Sequence, residues 1–154
     1  MTERTIDPSP ERVADCLFCR IIAGEIPSTR LFADDRVVVF MDINPISPGH
    51  CLVVTKAHYP SVFELTEVDG AAVMSAARRV GAGIRAGLEP DGLNLHQSNG
   101  AAAGQVVGHF HLHLIPRWEG DGASMGWRPS AEAAGRIAET AERIVQALRA
   151  GAAE

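Results

Sequence analysis

The amino-acid sequence predicts a single α+β domain with a mostly antiparallel sheet of about five strands, one long helix and a C-terminal helix. Two observations support this class: several apolar runs have strand length, and only one long segment with helical periodicity separates two of them. Short turns join the other runs, whereas parallel strands would need crossovers of a dozen or more residues. The length of 154 residues suits one domain. We expect residues 16–154 to form it and residues 1–15, which carry charges and prolines, to form a flexible tail.

Five segments are predicted as strands because they alternate apolar and polar residues or are rich in β-branched residues. They are residues 31–32, 37–41, 50–55, 92–97 and 109–115. Asp34 and Asp35 provide the turn of the first hairpin, and two prolines and a glycine make residues 42–49 a loop. This loop is expected to place Asp42 and His50 at neighbouring strand ends.

The longest predicted helix follows a capping box formed by Thr66 and Asp69. Its apolar residues recur at steps of three and four, as expected for one buried face. They are Val73, Ala77, Val80, Ile84 and Leu88. Gly81, Gly83 and Gly87 lie within this helix and each costs about 1 kcal/mol relative to alanine, so packing must hold it.

Two further segments are predicted to be helical. Residues 16–25 form one or two turns, which Gly24 and Pro27 end. Ser130 is the predicted N-cap of an amphipathic C-terminal helix. Its apolar face consists of Ile137, Ala141, Ile144 and Leu148.

Composition excludes several classes of function. A formal net charge of -5 argues against a protein that grips the phosphate backbone of nucleic acid. No run approaches the roughly 18 apolar residues of a membrane span, and the first fifteen residues lack the apolar segment of a signal peptide. Three cysteines, with Cys16 and Cys19 spaced as C-x-x-C, favour a reduced compartment over a disulfide framework. We expect a cytoplasmic protein that binds neither nucleic acid nor membranes.

His109, His111 and His113 recur at a period of two, and this is the most informative functional pattern. In a strand they would share one face, roughly 7 Å apart, while apolar residues face the core. A core does not need three imidazoles, because each buried ring has two nitrogens to satisfy. Three interpretations stand: a neutral imidazole acts as nucleophile or base, the histidines bind metal, or they are hydrogen bonded in a polar interior.

The segment before this strand favours the catalytic interpretation. Residues 99–105 are rich in glycine and alanine, and small residues let backbone N–H groups approach an anionic oxygen closely. Glycine-rich loops are common, so the loop by itself is a weak signal. Directly before three histidines, it indicates a phosphate site beside a nucleophile.

Several motifs together resemble the histidine triad (HIT) family of nucleotide hydrolases and transferases. Residues 109–115 follow the family's His-φ-His-φ-His-φ-φ pattern, where φ is apolar, and residues 99–105 resemble the loop that precedes it. Ser98 stands where many relatives carry an amide side chain. Because serine is shorter, its hydrogen bonds are expected to extend less far, or Asn99 is expected to make them instead. Two upstream segments are similar to family signatures, namely Asp42-Ile43-Asn44-Pro45 and Pro48-Gly49-His50.

The resemblance implies a HIT-like fold and a hydrolase of purine nucleoside 5'-phosphoramidates or related compounds. His111 would attack the α-phosphorus, and water would then release the nucleoside monophosphate from a covalent nucleotidyl-histidine. Asp42 would accept from the ribose hydroxyls, and Gln105 would bond near the bridging atom. The catalytic residues that it implies are His111, His113, His109 and His50. The substrate-binding residues that it implies are Asp42, Ile43, Asn44, Ser98, Asn99, Gly104, Gln105 and Val106.

The cysteine pair leads to a second hypothesis. C-x-x-C supplies half of a tetrahedral zinc site, and the resemblance implies that His58 and His109 complete it beside Cys16 and Cys19. Such a zinc ion would be structural, and no cofactor would be required for catalysis. The alternative is that both cysteines are small buried residues on a helical turn.

Other possibilities stay open. The substrate could be a dinucleoside polyphosphate, cleaved by water or by phosphate. The chain could instead be a nucleotide-binding or partner-binding module with incidental turnover, or a zinc hydrolase that uses the three histidines as ligands. The resemblance also implies a homodimer. We expect His96, Cys51, Trp118 and Trp127 to serve packing.

Overall fold

A computed structural model describes residues 12–123 and 127–152 of the chain. Its strands are β1 (Arg30–Ala33), β2 (Val37–Met41), β3 (Cys51–Thr55), β4 (Gly92–His96) and β5 (His111–Arg117). Its helices are α1 (Leu17–Ile22), α2 (Glu67–Leu88), α3 (Ala131–Gly135) and α4 (Ile137–Ala152). The strands form one sheet in the order β1-β2-β3-β5-β4, and every neighbouring pair is antiparallel. The predicted α+β class is confirmed.

Both faces of the central strands are covered, because α2 and α4 pack on one face and α1 packs on the other. Every residue of β2 and β3 is buried, and all of them except Thr55 are apolar, so these strands do not alternate between apolar and polar residues. Val37, Val39 and Met41 face the larger core, whereas Val38 and Phe40 face α1. The site described below lies on the α1 side of the sheet.

The glycines of α2 permit a close approach of α4. A Cβ atom at Gly83 would lie 2.7 Å from the Leu148 side chain, and one at Gly87 would lie 2.6 Å from the backbone oxygen of Arg143. Thr66 caps α2 by accepting a hydrogen bond from the backbone N–H of Asp69, as its capping sequence predicts. The low helix propensity of these glycines is therefore offset by packing between the two helices.

We expect Gly87→Ala to destabilise the protein by about 1–2 kcal/mol, although alanine is the better helix former. The added methyl group would meet a backbone oxygen that cannot move without the rest of α4. Gly70→Ala is the matched control, because its Cβ would make an ordinary contact of 3.5 Å with Leu65. Urea unfolding should show Gly70→Ala to be at least as stable as wild type. Equal stability of the two variants would show that α4 does not constrain α2.

Two element boundaries differ from the predictions. β5 begins at His111 rather than His109, because the backbone N–H of Phe110 donates to Tyr59 instead of a sheet neighbour. The C-terminal helix is divided at Arg136, whose backbone (φ −112°, ψ 11°) is not helical. Ser130 is the N-cap, as predicted, but of the short α3.

The predicted tail falls mostly outside the described part of the chain. Residues 1–11 lie outside it, and residues 12–15 are exposed, with Val13 accepting a backbone hydrogen bond from Cys16. Within residues 12–123 and 127–152, none of the helices has the length and apolar character that crossing a membrane requires.

Candidate functional site

Two groups of polar side chains lie on the face of the sheet that α1 covers in part. The histidine–aspartate cluster consists of Asp42, His50, His111 and His113, and the cysteine–histidine cluster consists of Cys16, Cys19, His58 and His109. His109, His111 and His113 follow one another at a period of two, but their side chains lie in two different clusters. His109 belongs to the second cluster, whereas His111 and His113 belong to the first.

His111 has one ring nitrogen committed to the backbone. Its Nδ1–H donates to the carbonyl oxygen of His109 over 2.6 Å, which leaves the lone pair of the neutral ring on Nε2. Phe18 packs edge-on against the ring at 5.0 Å between centroids. Burial lowers the pKa of His111, so the ring is neutral at pH 7. A neutral imidazole with an available Nε2 lone pair is a competent nucleophile.

A chain of hydrogen bonds sets the tautomers of His50 and His113. The backbone N–H of Ile46 donates to Nδ1 of His50 over 3.0 Å, so the neutral His50 ring carries its proton on Nε2. This Nε2–H donates to Nδ1 of His113 over 2.9 Å. His113 consequently carries its own proton on Nε2. Burial lowers the pKa of His50 to about 4 and that of His113 to about 2, so both rings are neutral.

The loop between β2 and β3 holds Asp42 beside these rings. The backbone N–H of Asp42 donates to the carbonyl of His50, as expected for neighbouring strand ends. Its carboxylate lies 3.5 Å from Nε2 of His50 and 3.8 Å from Nδ1 of His113. Gly49 has φ +87° and contacts Leu88 so closely that a Cβ would overlap it, so only glycine fits this turn. The loop that the prolines and glycine predict therefore positions the side chains of Asp42 and His50.

The cysteine–histidine cluster has the dimensions of a tetrahedral metal site. Sγ of Cys16 lies 3.4 Å from Nδ1 of His109, Sγ of Cys19 lies 3.4 Å from Nδ1 of His58, and the two Nδ1 atoms are 3.2 Å apart. Tetrahedral zinc with ordinary bond lengths requires about 3.5 Å between sulfur and nitrogen ligands and about 3.3 Å between nitrogen ligands. Cysteine and histidine are also the ligand types that zinc prefers.

The protonation states suit a cation at this place. Nε2–H of His109 donates to the carbonyl of Thr55 over 2.7 Å, which leaves Nδ1 with its lone pair toward the cysteines. Burial lowers the pKa of His109 to about 4, and burial raises the pKa of Cys19. Cys19 therefore keeps its proton unless a bound cation displaces it, and the four residues fit a zinc ion by ligand type and spacing.

In the histidine–aspartate cluster, by contrast, one of the nitrogens that face the possible metal position carries a proton. Asp42, His50 and His113 also bring three possible ligand atoms together. However, Nδ1 of His50 accepts from Ile46, so the Nε2 atom that faces the other two carries a proton. A metal ion bound at Nε2 of His50 would leave the proton of the neutral ring on Nδ1, where it would face the backbone N–H of Ile46. The two clusters therefore differ in which nitrogen their neighbours occupy.

The loop before β5 is held mainly by its own hydrogen bonds. The backbone N–H groups of Ala103, Gly104 and Gln105 donate to carbonyls within it. The Gln105 amide accepts from Gly100 and donates to the carbonyls of Pro60 and Val107. In this structure Gln105 therefore braces the loop, although the resemblance implies a role near the bridging atom.

The remaining predicted substrate-binding residues surround this loop and the β2–β3 turn. Asn99 accepts from the backbone N–H of Val62, and Ser98 lies 3.1 Å from His96. Asn44 donates its backbone N–H to the Asp42 carboxylate. Ile43 and Val106 are 77% and 94% exposed, so both are open to contact with a ligand.

Three site residues are absent from the predicted set. Trp127 lies 4.7 Å from His113 and 5.0 Å from His96 between ring centroids, so both residues pack beside the histidine–aspartate cluster. These contacts agree with the packing role expected for them and add that the packing takes place at the candidate site. His96 is the register partner of His113 across β4 and β5. Phe18 contacts His111. Alternation along β4 gives a weak signal for His96, but its pairing with His113 needs the sheet order.

Fold and site together define a class: α+β proteins in which a strand of an antiparallel sheet carries part of a polar histidine cluster and the residues just before it reach a Cys2His2 cluster. The sequence profile of the HIT domain matches residues 23–120. The chain belongs to this family.

Three characterised or named relatives show the extent of the similarity. Protein hit of Bacillus subtilis is 41% identical over 77% of this chain and 82% of its own length. Adenylylsulfatase HINT3 of Arabidopsis thaliana is 44% identical over 70% of this chain, and the match spans 54% of that protein. Adenosine 5'-monophosphoramidase hnt1 of Schizosaccharomyces pombe is 35% identical over 73% of this chain and 82% of its own length.

A solved structure supports the same fold. A zinc-bound histidine triad family protein from Mycobacterium smegmatis superposes with a TM-score of 0.80 at 32% identity. The match covers 91% of this chain and 98% of that one. It therefore includes nearly the whole described fold.

Proposed function

We propose that this protein is a nucleotidyl hydrolase that cleaves purine nucleoside 5'-phosphoramidates or related compounds through a nucleotidyl group on His111. One observation carries the proposal: Nδ1 of His111 bonds to the His109 carbonyl, which leaves the Nε2 lone pair for attack on phosphorus. Two relatives are named adenosine 5'-monophosphoramidase and adenylylsulfatase, and these names support an adenylyl compound as the substrate.

In the first step, Nε2 of His111 forms a bond to the α-phosphorus while the bond to the leaving group breaks. His113 presents Nε2–H as the donor to the leaving nitrogen or oxygen, because His50 occupies its other nitrogen. In the second step water displaces His111 and the nucleoside monophosphate leaves. The ribose would bond to Asp42, whose carboxylate lies beside His50.

We also propose that Cys16, Cys19, His58 and His109 hold a structural zinc ion. Their spacing, the burial of Cys19 and the Nε2–H bond of His109 support it, and one structural neighbour is zinc-bound. When bound, zinc would neutralise the thiolates and cross-link α1 to the residues before β5. His109 would then influence His111 through its carbonyl rather than through its ring.

A homodimer is proposed as well. β4 is an outer strand of the sheet, and Leu95 on it is an exposed apolar residue. A second copy of β4 would extend the sheet and cover Leu95. Light scattering in solution would contradict this if it gave the mass of one chain.

The decisive experiment is rapid-quench mass spectrometry of the protein mixed with adenosine 5'-phosphoramidate. We expect an adenylate-sized increment on His111 that decays as AMP appears. Added inorganic phosphate separates the alternatives, since ADP would indicate phosphorolysis and AMP hydrolysis. A protein that binds AMP but gives no adduct and no turnover would instead be a nucleotide-binding module.

The proposal includes a second class of substrate. Dinucleoside polyphosphates present the same adenylyl phosphorus with a nucleoside polyphosphate as leaving group. Steady-state kinetics with diadenosine tetraphosphate and with the phosphoramidate would rank the two classes. No specific contact of the described residues favours the larger leaving group.

A further inference from the structure

His96 faces the histidine–aspartate cluster from the neighbouring strand. In the antiparallel pair β4–β5, His96 lies directly opposite His113, so both side chains share a face. Their ring centroids are 6.1 Å apart, and Trp127 packs against both rings. His96 is partly exposed.

The polar partner of His96 is Ser98. Nε2 of His96 and Oγ of Ser98 are 3.1 Å apart, within hydrogen-bond distance. A neutral imidazole and a hydroxyl together carry one N–H and one O–H, and the bond between them uses only one of these donors. One donor therefore remains for a ligand.

The sheet order places His96 and Asp42 on opposite sides of His113. β5 lies between β3 and β4, and Asp42 sits beside His50 at the β3 end. The proposed function puts the ribose at Asp42 and the α-phosphorus at His111. The leaving group would then lie past His113, on the β4 side.

We propose that His96, together with Ser98, is a specificity-determining residue that contacts an anionic leaving group such as sulfate or phosphate. This inference rests on the proposed function and names the leaving-group class that the same site accepts. As the phosphorus–oxygen bond breaks, its electron pair stays on the departing oxyanion while the bond from Nε2 of His111 forms. A donor beside His113 stabilises that developing charge. An amine leaving group instead takes a proton and departs neutral, so it gains less from His96.

The test is the ratio of kcat/KM for adenosine 5'-phosphosulfate to kcat/KM for adenosine 5'-phosphoramidate. Both substrates share the adenylyl group and yield AMP, so the ratio isolates the leaving group. His96→Leu removes the donor and should lower this ratio about tenfold or more. His96→Gln keeps an N–H donor and should hold the ratio within about threefold of wild type. A smaller change in His96→Leu, or an equal loss in His96→Gln, would overturn the assignment.

A binding measurement tests the role of His96 independently of catalysis by His111. In the His111→Ala background, calorimetry gives the Kd of adenosine 5'-phosphosulfate relative to that of AMP. Adding His96→Leu should raise this relative Kd about tenfold, and an unchanged value would contradict the role of His96. If wild type cleaves neither substrate, the proposed function fails, while the binding ratio still decides the question of His96.

Discussion

His111→Ala is expected to lower kcat/KM for adenosine 5'-phosphoramidate by about four orders of magnitude or more. The variant loses the only atom that we assign to bond formation with phosphorus. Because His111 packs between Phe18 and His113, alanine leaves a small cavity but no unpaired buried charge. The Kd of AMP should therefore change only a few-fold, and the loss should appear in kcat.

Chemical rescue distinguishes a nucleophile from a packing residue. Free imidazole can enter the cavity of His111→Ala, attack the same phosphorus and restore part of the turnover. A matched variant, Phe18→Leu, leaves His111 in place and should not respond to imidazole. Retention of more than a tenth of the wild-type rate by His111→Ala would rule out the covalent mechanism.

Local patterns predict most of the fold because its elements depend on nearby residues. The β-branched run of β2 and the cap at Thr66 are recognisable without knowledge of the tertiary structure. The break at Arg136 is not, since the apolar spacing continues through it. The start of α3 is tied to the β2–β3 loop by a bond from Ser130 to Pro45, which is a long-range contact.

The candidate site is likewise only partly predictable from local patterns in the sequence. The spacing of His109, His111 and His113 predicts a shared face, but it does not tell which nitrogen of each ring is occupied. For His109 that choice is made by Thr55, and for His113 it is made by Ile46 acting through His50, so both depend on residues distant in sequence. For His111 it is made by the carbonyl of His109. His96 reaches the site through the pairing of β4 with β5, and Trp127 reaches it through ring contacts with residues distant in sequence. Alternation along β4 gives only a weak signal for the first of these contacts, and the sequence gives none for the second.

Hydrogen bonding explains how three similar histidines acquire different roles. His109 donates from Nε2, which leaves the Nδ1 lone pair for the proposed metal ion. His111 donates from Nδ1, which leaves the Nε2 lone pair for the proposed attack on phosphorus. His113 accepts at Nδ1 and keeps a proton on Nε2. The His109 carbonyl that fixes His111 belongs to the residue that the cysteine–histidine cluster holds. The position of that cluster therefore helps to set the orientation of the proposed nucleophile.

Cys19→Ser is expected to lower the free energy of unfolding by about 3 kcal/mol or more, and the Tm by about 10 °C. Serine is a poor zinc ligand, so the variant would lose the metal and the link between α1 and the residues before β5. Thermal unfolding with and without a chelator measures this directly. The chelator should lower the Tm of wild type and leave that of Cys19→Ser unchanged.

Cys51→Ala provides the matched control, because Cys51 is also buried but lies in the core away from the cysteine–histidine cluster. It should lose no more than about 1–2 kcal/mol from packing and should keep one zinc per chain and the response to chelator. Metal analysis of purified wild type gives the stoichiometry. Wild type that carries no zinc, or whose Tm does not respond to the chelator, would show that the four residues are only packed side chains.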